Sequence, residues 1–255
     1  MKSVKQRLAA FIPRFIGAGT VARFLSFVSV RIPASQRNAH LAQNSVAWNQ
    51  IWEKAMKGRY IEHQCALSGM RLGKITADRN ACEVIATYNT MASLSAAESS
   101  WAKKPEKSLR YPWWDVTRKR TFPEMLWEFE SLGLALAGYF GTAPGKIVKY
   151  LEKHGYETGM LTGRAVTAEN VLSFSRQYRA FILMAYNDGT NIMAQVHTLS
   201  ITKEAYGFQV HNGNMEDKTF PVLFDAVCAV NQGKSKPIVL IGAGSFPASS
   251  NHHEK

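Results

Sequence analysis

Three residues of this sequence have the types and the chain order of a thiol nucleophile, its base and an orienting group: Cys82, His197 and Asn212. Cys82 opens an apolar run, 82–91, that is typical of a helix. At a helix N-terminus the unpaired N–H groups and the dipole stabilise an anion, and a thiol there has a lowered pKa. The same N–H groups, including that of Cys82, could hold the oxyanion of an acyl-transfer intermediate.

His197 supplies the predicted base because it lies inside a strand-like segment, Met193–Thr202. Because successive side chains of a strand point to opposite faces of the sheet, His197 shares a face with Gln195 and Leu199. A turn near 203–205 followed by an antiparallel strand would bring Asn212 back beside His197, or within one pair of it. Asn212 would then accept from one imidazole nitrogen while the other nitrogen faces the thiol. A sheet histidine with satisfied hydrogen bonds and a small buried cysteine remain the alternatives.

Other chemistries have weaker support in the sequence. There is no C-x-x-C or H-E-x-x-H spacing, so we expect no bound metal. There is no Gly-rich phosphate loop, so we expect no cofactor. The serine-hydrolase elbow is also absent, so we expect no serine nucleophile. Cys65 and Cys228 are interpreted as packing residues, and His211 should point to the face opposite Asn212.

The elements that must position these residues follow an α+β order, with helices first and antiparallel strands second. Periodicity, caps and turn residues predict helices over 44–57, 81–91, 124–132 and 142–155. They then predict strands over 179–186, 193–202, 205–210 and 237–241, with a hairpin turn at 187–189. Residues 60–81 and 94–120 read as irregular segments.

Composition excludes several classes of protein. The 255 residues are 46% hydrophobic, which argues against a disordered chain, and no uncharged apolar run is long enough to span a bilayer. Three cysteines give no disulfide framework and fit a reducing compartment, so a cytoplasmic or peripheral membrane location is favoured.

The positive charge is concentrated near the N-terminus. Residues 1–59 contain ten Lys and Arg residues and one acid, Glu53, so they carry +9 of the net charge of +12. This distribution argues against specific nucleic-acid binding by the main body. The segment 8–32 mixes Phe residues with spaced Arg residues, which predicts a basic amphipathic helix on an anionic membrane surface. A helix packed on the domain with a solvated basic face and a transit peptide are the alternatives.

We therefore predict three regions: a basic N-terminal extension over 1–43, one domain over 44–245 and a disordered tail over 246–255. The segment Asn80–Asn89 resembles the nucleophile helix of papain-like cysteine peptidases, in particular the bacteriocin-processing, double-glycine-leader peptidase domains. The order Cys82, helices, His197, Asn212 and the gap of fifteen residues between the last two are similar to that family. The resemblance covers about 60–245 and includes the short helix region 138–156.

The resemblance implies a papain-like fold, in which an N-terminal helical part carries the nucleophile helix packed on a C-terminal antiparallel sheet. It implies a thiol hydrolase that cleaves a peptide or amide bond of a peptide or protein substrate. This sequence departs from the family pattern at Glu83, where the family has Gly after the cysteine, and at Thr76, where the family has its oxyanion Gln. Thr76, Asn80 and Gln64 are the substitute oxyanion candidates.

The departures leave other functions open. A catalytically weak or inactive papain-like module would bind peptides without turnover. An acyltransferase or an effector toxin would use the same Cys-His-Asn site, with an acceptor other than water in the first case. A structural protein in which the trio has no chemical role is the remaining alternative.

Overall fold

The computed structural model describes residues 18–101, 121–186, 196–213, 215, 218–230 and 236–245. Several predicted features lie outside these residues: the part of the basic N-terminal segment that precedes residue 18, the hairpin turn at 187–189, the first residues of the strand predicted from 193, and the tail 246–255.

Eight α-helices are present in the described residues. They are α1 Ala18–Phe27, α2 Ala34–Ala55, α3 Ala77–Asn80, α4 Cys82–Trp101, α5 Thr121–Leu132, α6 Pro144–Lys153, α7 Ala168–Gln177 and α8 Leu223–Ala229. The predicted nucleophile helix is therefore α4, and it begins at Cys82 as expected.

The described chain also contains six two-residue strands before α6. They are β1 Ser29–Val30, β2 Met56–Lys57, β3 Tyr60–Ile61, β4 Arg71–Leu72, β5 Ile75–Thr76 and β6 Leu134–Ala135. Three of them, β3, β4 and β5, lie in the segment 60–81 that the sequence predicted to be irregular. β2 pairs with β3, β4 with β5, and β1 with β6, all antiparallel. The β2–β3 and β4–β5 pairs fold the chain back and forth ahead of α4, and Gln64 hydrogen-bonds the Asp78 carbonyl in α3, the helix that directly precedes α4.

The second half of the described chain forms a six-stranded antiparallel sheet. Its strands are β7 Thr158–Thr162, β8 Tyr178–Tyr186, β9 Val196–Glu204, β10 Gly207–His211, β11 Thr219–Phe220 and β12 Pro237–Ser245. They lie in the order β11-β10-β9-β8-β12-β7. Together with the helices that precede and flank it, this sheet confirms the α+β class.

Both faces of the sheet are covered. Along β8, alternate residues such as Ile182 and Met184 join a core that includes α2, α4, α5 and α6. The residues between them, such as Phe181 and Leu183, pack with apolar side chains of α7 and α8. Strand alternation explains the division, and burial on both faces explains why β8 reads as a continuous apolar run in the sequence.

The predicted boundary between residues 43 and 44 falls in the middle of α2. α1 also contributes to the core, because Val21 and Leu25 are buried in the cluster that contains α4. The described residues 18–43 are therefore part of the folded domain, and the predicted extension over 1–43 is too long. Phe27 lies on the outer face of α1 and is 90% exposed. Among the described residues, no helix is long and apolar enough to cross a membrane.

Hydrogen bonds of the Asn89 side chain link α4 to β3. This side chain accepts a hydrogen bond from the Ile61 N–H at 2.8 Å and donates to the Ile61 carbonyl at 2.9 Å. Asn89 and Ile61 are both fully buried, so these backbone groups have no access to water. The pair fixes the position of the residues that directly follow β3, which include Glu62 and Gln64.

We predict that Asn89→Ala lowers the free energy of unfolding by about 2–4 kcal/mol, because two buried backbone groups of Ile61 lose their partner. Urea unfolding followed by circular dichroism measures the change. Asn49→Ala is the matched control, since Asn49 is exposed on α2, and it should change stability by less than about 0.5 kcal/mol. Equal effects of the two substitutions would show that the Asn89 bonds contribute no net stability.

Candidate thiol site

Cys82 is the first residue of α4, and the chain enters the helix through the short helix α3. The Ala81 carbonyl accepts from the Ile85 N–H at 2.8 Å, so the first helical turn starts at Cys82. The Cys82 side chain is buried, with 5% exposed. Its sulfur is hydrogen-bonded by the backbone of Glu83 in the first turn, which is where a helix has unpaired N–H donors.

The second backbone contact of the thiol comes from β9. The backbone of Thr198 hydrogen-bonds the Cys82 sulfur. The last paired residues of β10 and β9 are His211 and Ser200. On this edge of β9, the residues before Ser200, which include Thr198, therefore have no paired strand in the described part of the chain. The Thr198 N–H is thus available to the sulfur, which lies at the open edge of β9, one residue along the strand from His197.

His197 contacts Asn212, as the hairpin geometry predicted, but through a different atom. The imidazole Nε2 lies 2.9 Å from the main-chain oxygen of Asn212. A carbonyl only accepts, so Nε2 carries the proton in the neutral ring and Nδ1 is left as the acceptor. The expected contact with the Asn212 side chain is not formed, because Asn212 has a left-handed backbone with φ of 59° that turns its carbonyl toward the ring.

The side chain of Asn212 instead bonds Gln64. Asn212 Nδ2 donates to Gln64 Oε1 at 3.0 Å, and Gln64 Nε2 donates to the Asp78 carbonyl at 3.0 Å. Gln64 therefore links the end of β10 to α3, the helix that leads into Cys82. We use the name thiol site for Gln64, Cys82, Glu83, His197 and Asn212.

The three predicted oxyanion candidates are in different positions. Gln64 is in the thiol site, but its amide already donates to the backbone of α3. Asn80 donates through Nδ2 to the carbonyls of Gly138 at 2.8 Å and Tyr139 at 2.5 Å, so both of its amide hydrogens are used. Thr76 ends β5, where it pairs with Arg71. The backbone groups that hydrogen-bond the sulfur are those of Glu83 at the start of α4 and Thr198 on β9.

Glu62 and His211 hold Asn212 in place, and sequence reasoning missed both roles. Glu62 accepts from the Asn212 N–H at 2.5 Å and contacts His211 Nδ1 at 2.5 Å. His211 Nε2 lies 2.8 Å from the Thr202 hydroxyl, and the Tyr60 ring packs on the imidazole. No local pattern predicts this network, because Glu62 and His211 are 149 residues apart in the chain.

Glu83 is the other residue that sequence reasoning left without a role. Its side chain is buried, with 4% of the residue exposed, and it hydrogen-bonds the Cys82 side chain. It also acts electrostatically on His197, so it is close to both members of the predicted pair. Its sequence signal was an acid within an otherwise apolar helix start, at the position where the family has Gly.

Burial decides the protonation of the site. It raises the pKa of the Cys82 thiol above its ordinary value, and the hydrogen bonds from Thr198 and Glu83 only partly offset it. Burial lowers the pKa of His197, and it outweighs the hydrogen bond to Asn212 and the nearby Glu83 carboxyl, both of which act to raise that pKa. At neutral pH the free protein thus holds a thiol and a neutral imidazole. The prediction that the helix N-terminus would lower the thiol pKa is wrong, because desolvation outweighs it.

In the described part of the chain, no group of three or more His, Cys, Asp or Glu side chains is arranged to hold a metal ion. No known protein family, curated protein or solved structure matches this chain. The likeness to papain-like peptidases is therefore an interpretation of its own residues and of their order along the chain.

We predict that alkylation of Cys82 by iodoacetamide keeps accelerating as the pH rises from 6 through 9. The raised thiol pKa means that the reactive thiolate is still a minor species at neutral pH. Peptide mass spectrometry after timed quenching measures the rate at each cysteine. The exposed residues Cys65 and Cys228 serve as references within the same molecule. A rate at Cys82 that levels off below pH 7 would instead indicate a thiolate–imidazolium pair.

Proposed function

We propose that this protein is a thiol-dependent hydrolase that cleaves a peptide or amide bond through an acyl-enzyme. The observation that carries the proposal is the hydrogen bond between the Cys82 sulfur and the backbone of Thr198, the residue that follows His197 on β9, together with Glu83, which interacts with both Cys82 and His197. A nucleophile at a helix N-terminus and a base fixed by a third group are the parts that acyl transfer requires.

The chemistry follows from the protonation of the site. The unprotonated Nδ1 of His197 takes the proton of the Cys82 thiol as the sulfur forms a bond to the substrate carbonyl carbon. The carbonyl oxygen becomes an oxyanion, for which backbone N–H groups at the start of α4 are donors. When the C–N bond breaks, the imidazolium returns its proton to the leaving amine. Water, deprotonated by His197, then releases the acid and restores the thiol.

Asn212 has a defined part in this mechanism. The Asn212 carbonyl oxygen lies 2.9 Å from Nε2 of His197 and keeps the proton of the neutral ring on that nitrogen. The basic Nδ1 is therefore directed away from Asn212. When the ring becomes imidazolium, the hydrogen bond to this carbonyl becomes charge-assisted and therefore stronger. Glu62, which accepts the Asn212 N–H, is a positioning residue in this scheme.

We further propose that the fold is papain-like. The support is the position of the nucleophile at the start of α4, the packing of α4 on β9, and the strand–turn–strand segment that joins His197 to Asn212. The same residues would serve an acyltransferase if an amine replaced water. The burial of Cys82 favours, as a second candidate, a peptide-binding module of weak or absent turnover.

We predict that Cys82→Ala abolishes hydrolysis and that His197→Ala slows it about a hundredfold or more, since general acid–base catalysis contributes that much. Fluorogenic peptidyl amides of varied sequence provide the assay. Intact-protein mass spectrometry of the protein with an activated ester should reveal one acyl group, located on Cys82.

Cys65→Ala and Cys228→Ala are the matched controls, because both cysteines are exposed and neither belongs to the thiol site. They should keep full activity and still form the acyl adduct. Unchanged hydrolysis in Cys82→Ala would refute the proposal. Peptide binding without hydrolysis or adduct in any form of the protein would establish the binding module instead.

We also propose that the N-terminal part of the chain attaches the protein to anionic membrane surfaces. In the described residues, Phe27 and Val30 are exposed to 90% and 52%, and the exposed basic residues Arg23 and Arg31 lie beside them in the chain. Exposed apolar side chains flanked by basic ones are the pattern of a surface that binds anionic lipid.

We predict that Phe27→Ser and Arg23→Glu each reduce binding to vesicles that contain phosphatidylserine by about fivefold or more, through lost apolar insertion and lost attraction to the lipid charge. Sedimentation with sucrose-loaded vesicles measures binding. Arg176→Glu is the control for net charge, because Arg176 is exposed on α7. Equal loss in this control, or no loss in either variant, would contradict a specific membrane surface near α1.

A further inference from the structure

Glu83 is buried at the centre of the thiol site and is not required by the mechanism above. Its carboxyl hydrogen-bonds the Cys82 side chain, and the residue is only 4% exposed. One carboxyl oxygen, Oε2, has no hydrogen-bond partner among the described residues. A carboxyl group in this state needs a chemical explanation, because burying a carboxylate without full pairing is costly.

The surroundings of Glu83 fix its side chain in place. Gly141 lies directly against the carboxyl, and a Cβ at Gly141 would come within 2.3 Å of Oε2 and 2.6 Å of Oε1. Gly141 also has a φ of +65°, which favours glycine. The space beside the thiol thus accommodates the carboxyl because residue 141 has no side chain.

The chemical state of Glu83 follows from its neighbours. The titratable groups that act on it are Cys82 on its own helix and His197 on β9. The thiol and the imidazole are both neutral at pH 7, so neither supplies a positive charge. Burial raises the pKa of Glu83 well above its ordinary value, and this shift favours the protonated carboxyl. A protonated carboxyl is a hydrogen-bond donor as well as an acceptor.

We propose that Glu83 is a further catalytic residue of this site, which as a neutral carboxylic acid donates its O–H to the Cys82 sulfur and stabilises the thiolate formed when His197 takes the proton. The assignment rests on the proposed thiol chemistry. No proton leaves Glu83 in this step: its O–H hydrogen bond strengthens when the sulfur becomes negative. The role explains why a carboxyl stands directly after the nucleophile.

Two substitutions of similar size test the role. Glu83→Gln keeps a donor and cannot ionise, whereas Glu83→Leu removes the donor. The rate of Cys82 alkylation by iodoacetamide is measured from pH 6 to 10 by peptide mass spectrometry. The Gln variant should follow the native profile within about threefold. The Leu variant should be shifted upward by about one pH unit, so that alkylation is about tenfold slower at a given pH on the rising part of the curve.

Two outcomes would overturn the assignment. If Glu83→Gln slows alkylation as much as Glu83→Leu, the carboxylate acts as a base or as an ion-pair partner. If Glu83→Leu leaves the profile unchanged, the carboxyl has no influence on the sulfur. A native-like circular dichroism spectrum shows that each variant is folded, and unaltered rates at the exposed residues Cys65 and Cys228 exclude a general change in the activity of the reagent. If the Leu variant does not fold, the Gln variant alone still decides, because a tenfold loss in it contradicts a neutral donor.

A second measurement separates a neutral carboxyl at Glu83 from a carboxylate in the folded protein. An acid with a raised pKa in the folded state makes stability fall as the pH rises above the pKa of the unfolded chain, which then binds fewer protons. Glu83→Gln removes this loss, so it should unfold at a higher urea concentration than the native protein at pH 8. A less stable Gln variant at that pH would show that the folded protein uses the carboxylate.

The alkylation profile needs no turnover, so it tests Glu83 separately from the proposed hydrolase. The role proposed for Glu83 is refuted alone if the alkylation profile contradicts it while Cys82→Ala still abolishes hydrolysis. The proposed function fails alone if no thiol-dependent hydrolysis is found although Glu83→Leu shifts the profile.

Discussion

The early end of β10 is the constraint on which the thiol site depends. β10 pairs with β9 up to Ser200 and then leaves the sheet at Asn212, whose left-handed backbone ends the strand. This single departure frees the Thr198 N–H for the Cys82 sulfur and directs a carbonyl to His197. If the strand continued by two residues, its own backbone would occupy the edge that the start of α4 uses. The site is thus located where regular pairing stops, between two rigid elements.

Polar contacts at the site fall into two groups with different physical demands. Gln64, Asn212, Glu62 and His211 form a network in which donors and acceptors are paired, as a buried position requires. Cys82 and Glu83 lie in a neighbouring region where burial favours neutral groups. The first group keeps the imidazole in one tautomer and orientation. The second group keeps the Cys82 sulfur as a neutral thiol in the free protein, and under the proposed mechanism it must then stabilise the thiolate that forms.

Local signals predicted the site better than they predicted the domain. The start of α4 at Cys82 and the approach of His197 to Asn212 followed from helix and hairpin periodicity, because both are short-range properties. Periodicity did not predict that the main-chain oxygen of Asn212, rather than its side chain, contacts the His197 ring. That contact depends on the positive φ of Asn212, which periodicity does not reveal. The roles of Glu62 and Gln64 depend on contacts across about 150 residues, for which one sequence holds no local signal.

The misplaced features of the fold have identifiable physical causes. α2 buries only a few of its residues, Asn44, Trp48 and Ala55 among them, so its polar first half resembled an extension. α7 is capped by Thr167, which accepts from the Asn170 N–H at 3.3 Å, but it is short and buries only Val171, Phe174 and Ser175, and the sequence analysis did not predict it. β7 carries two short polar residues and a glycine, and it is defined by pairing with β12. In each case tertiary context overrode a weak local preference.

The wide separation of Cys82 from His197 and Asn212 along the chain has a consequence for biosynthesis. A ribosome delivers the N-terminal part first, so Cys82 and α4 emerge more than one hundred residues before the strands that carry the base. Until β8, β9 and β10 assemble, the thiol has neither the Thr198 N–H nor the imidazole. A nascent chain that lacks these strands therefore carries Cys82 without the contacts that the proposed chemistry needs, and those contacts form only when the sheet is complete.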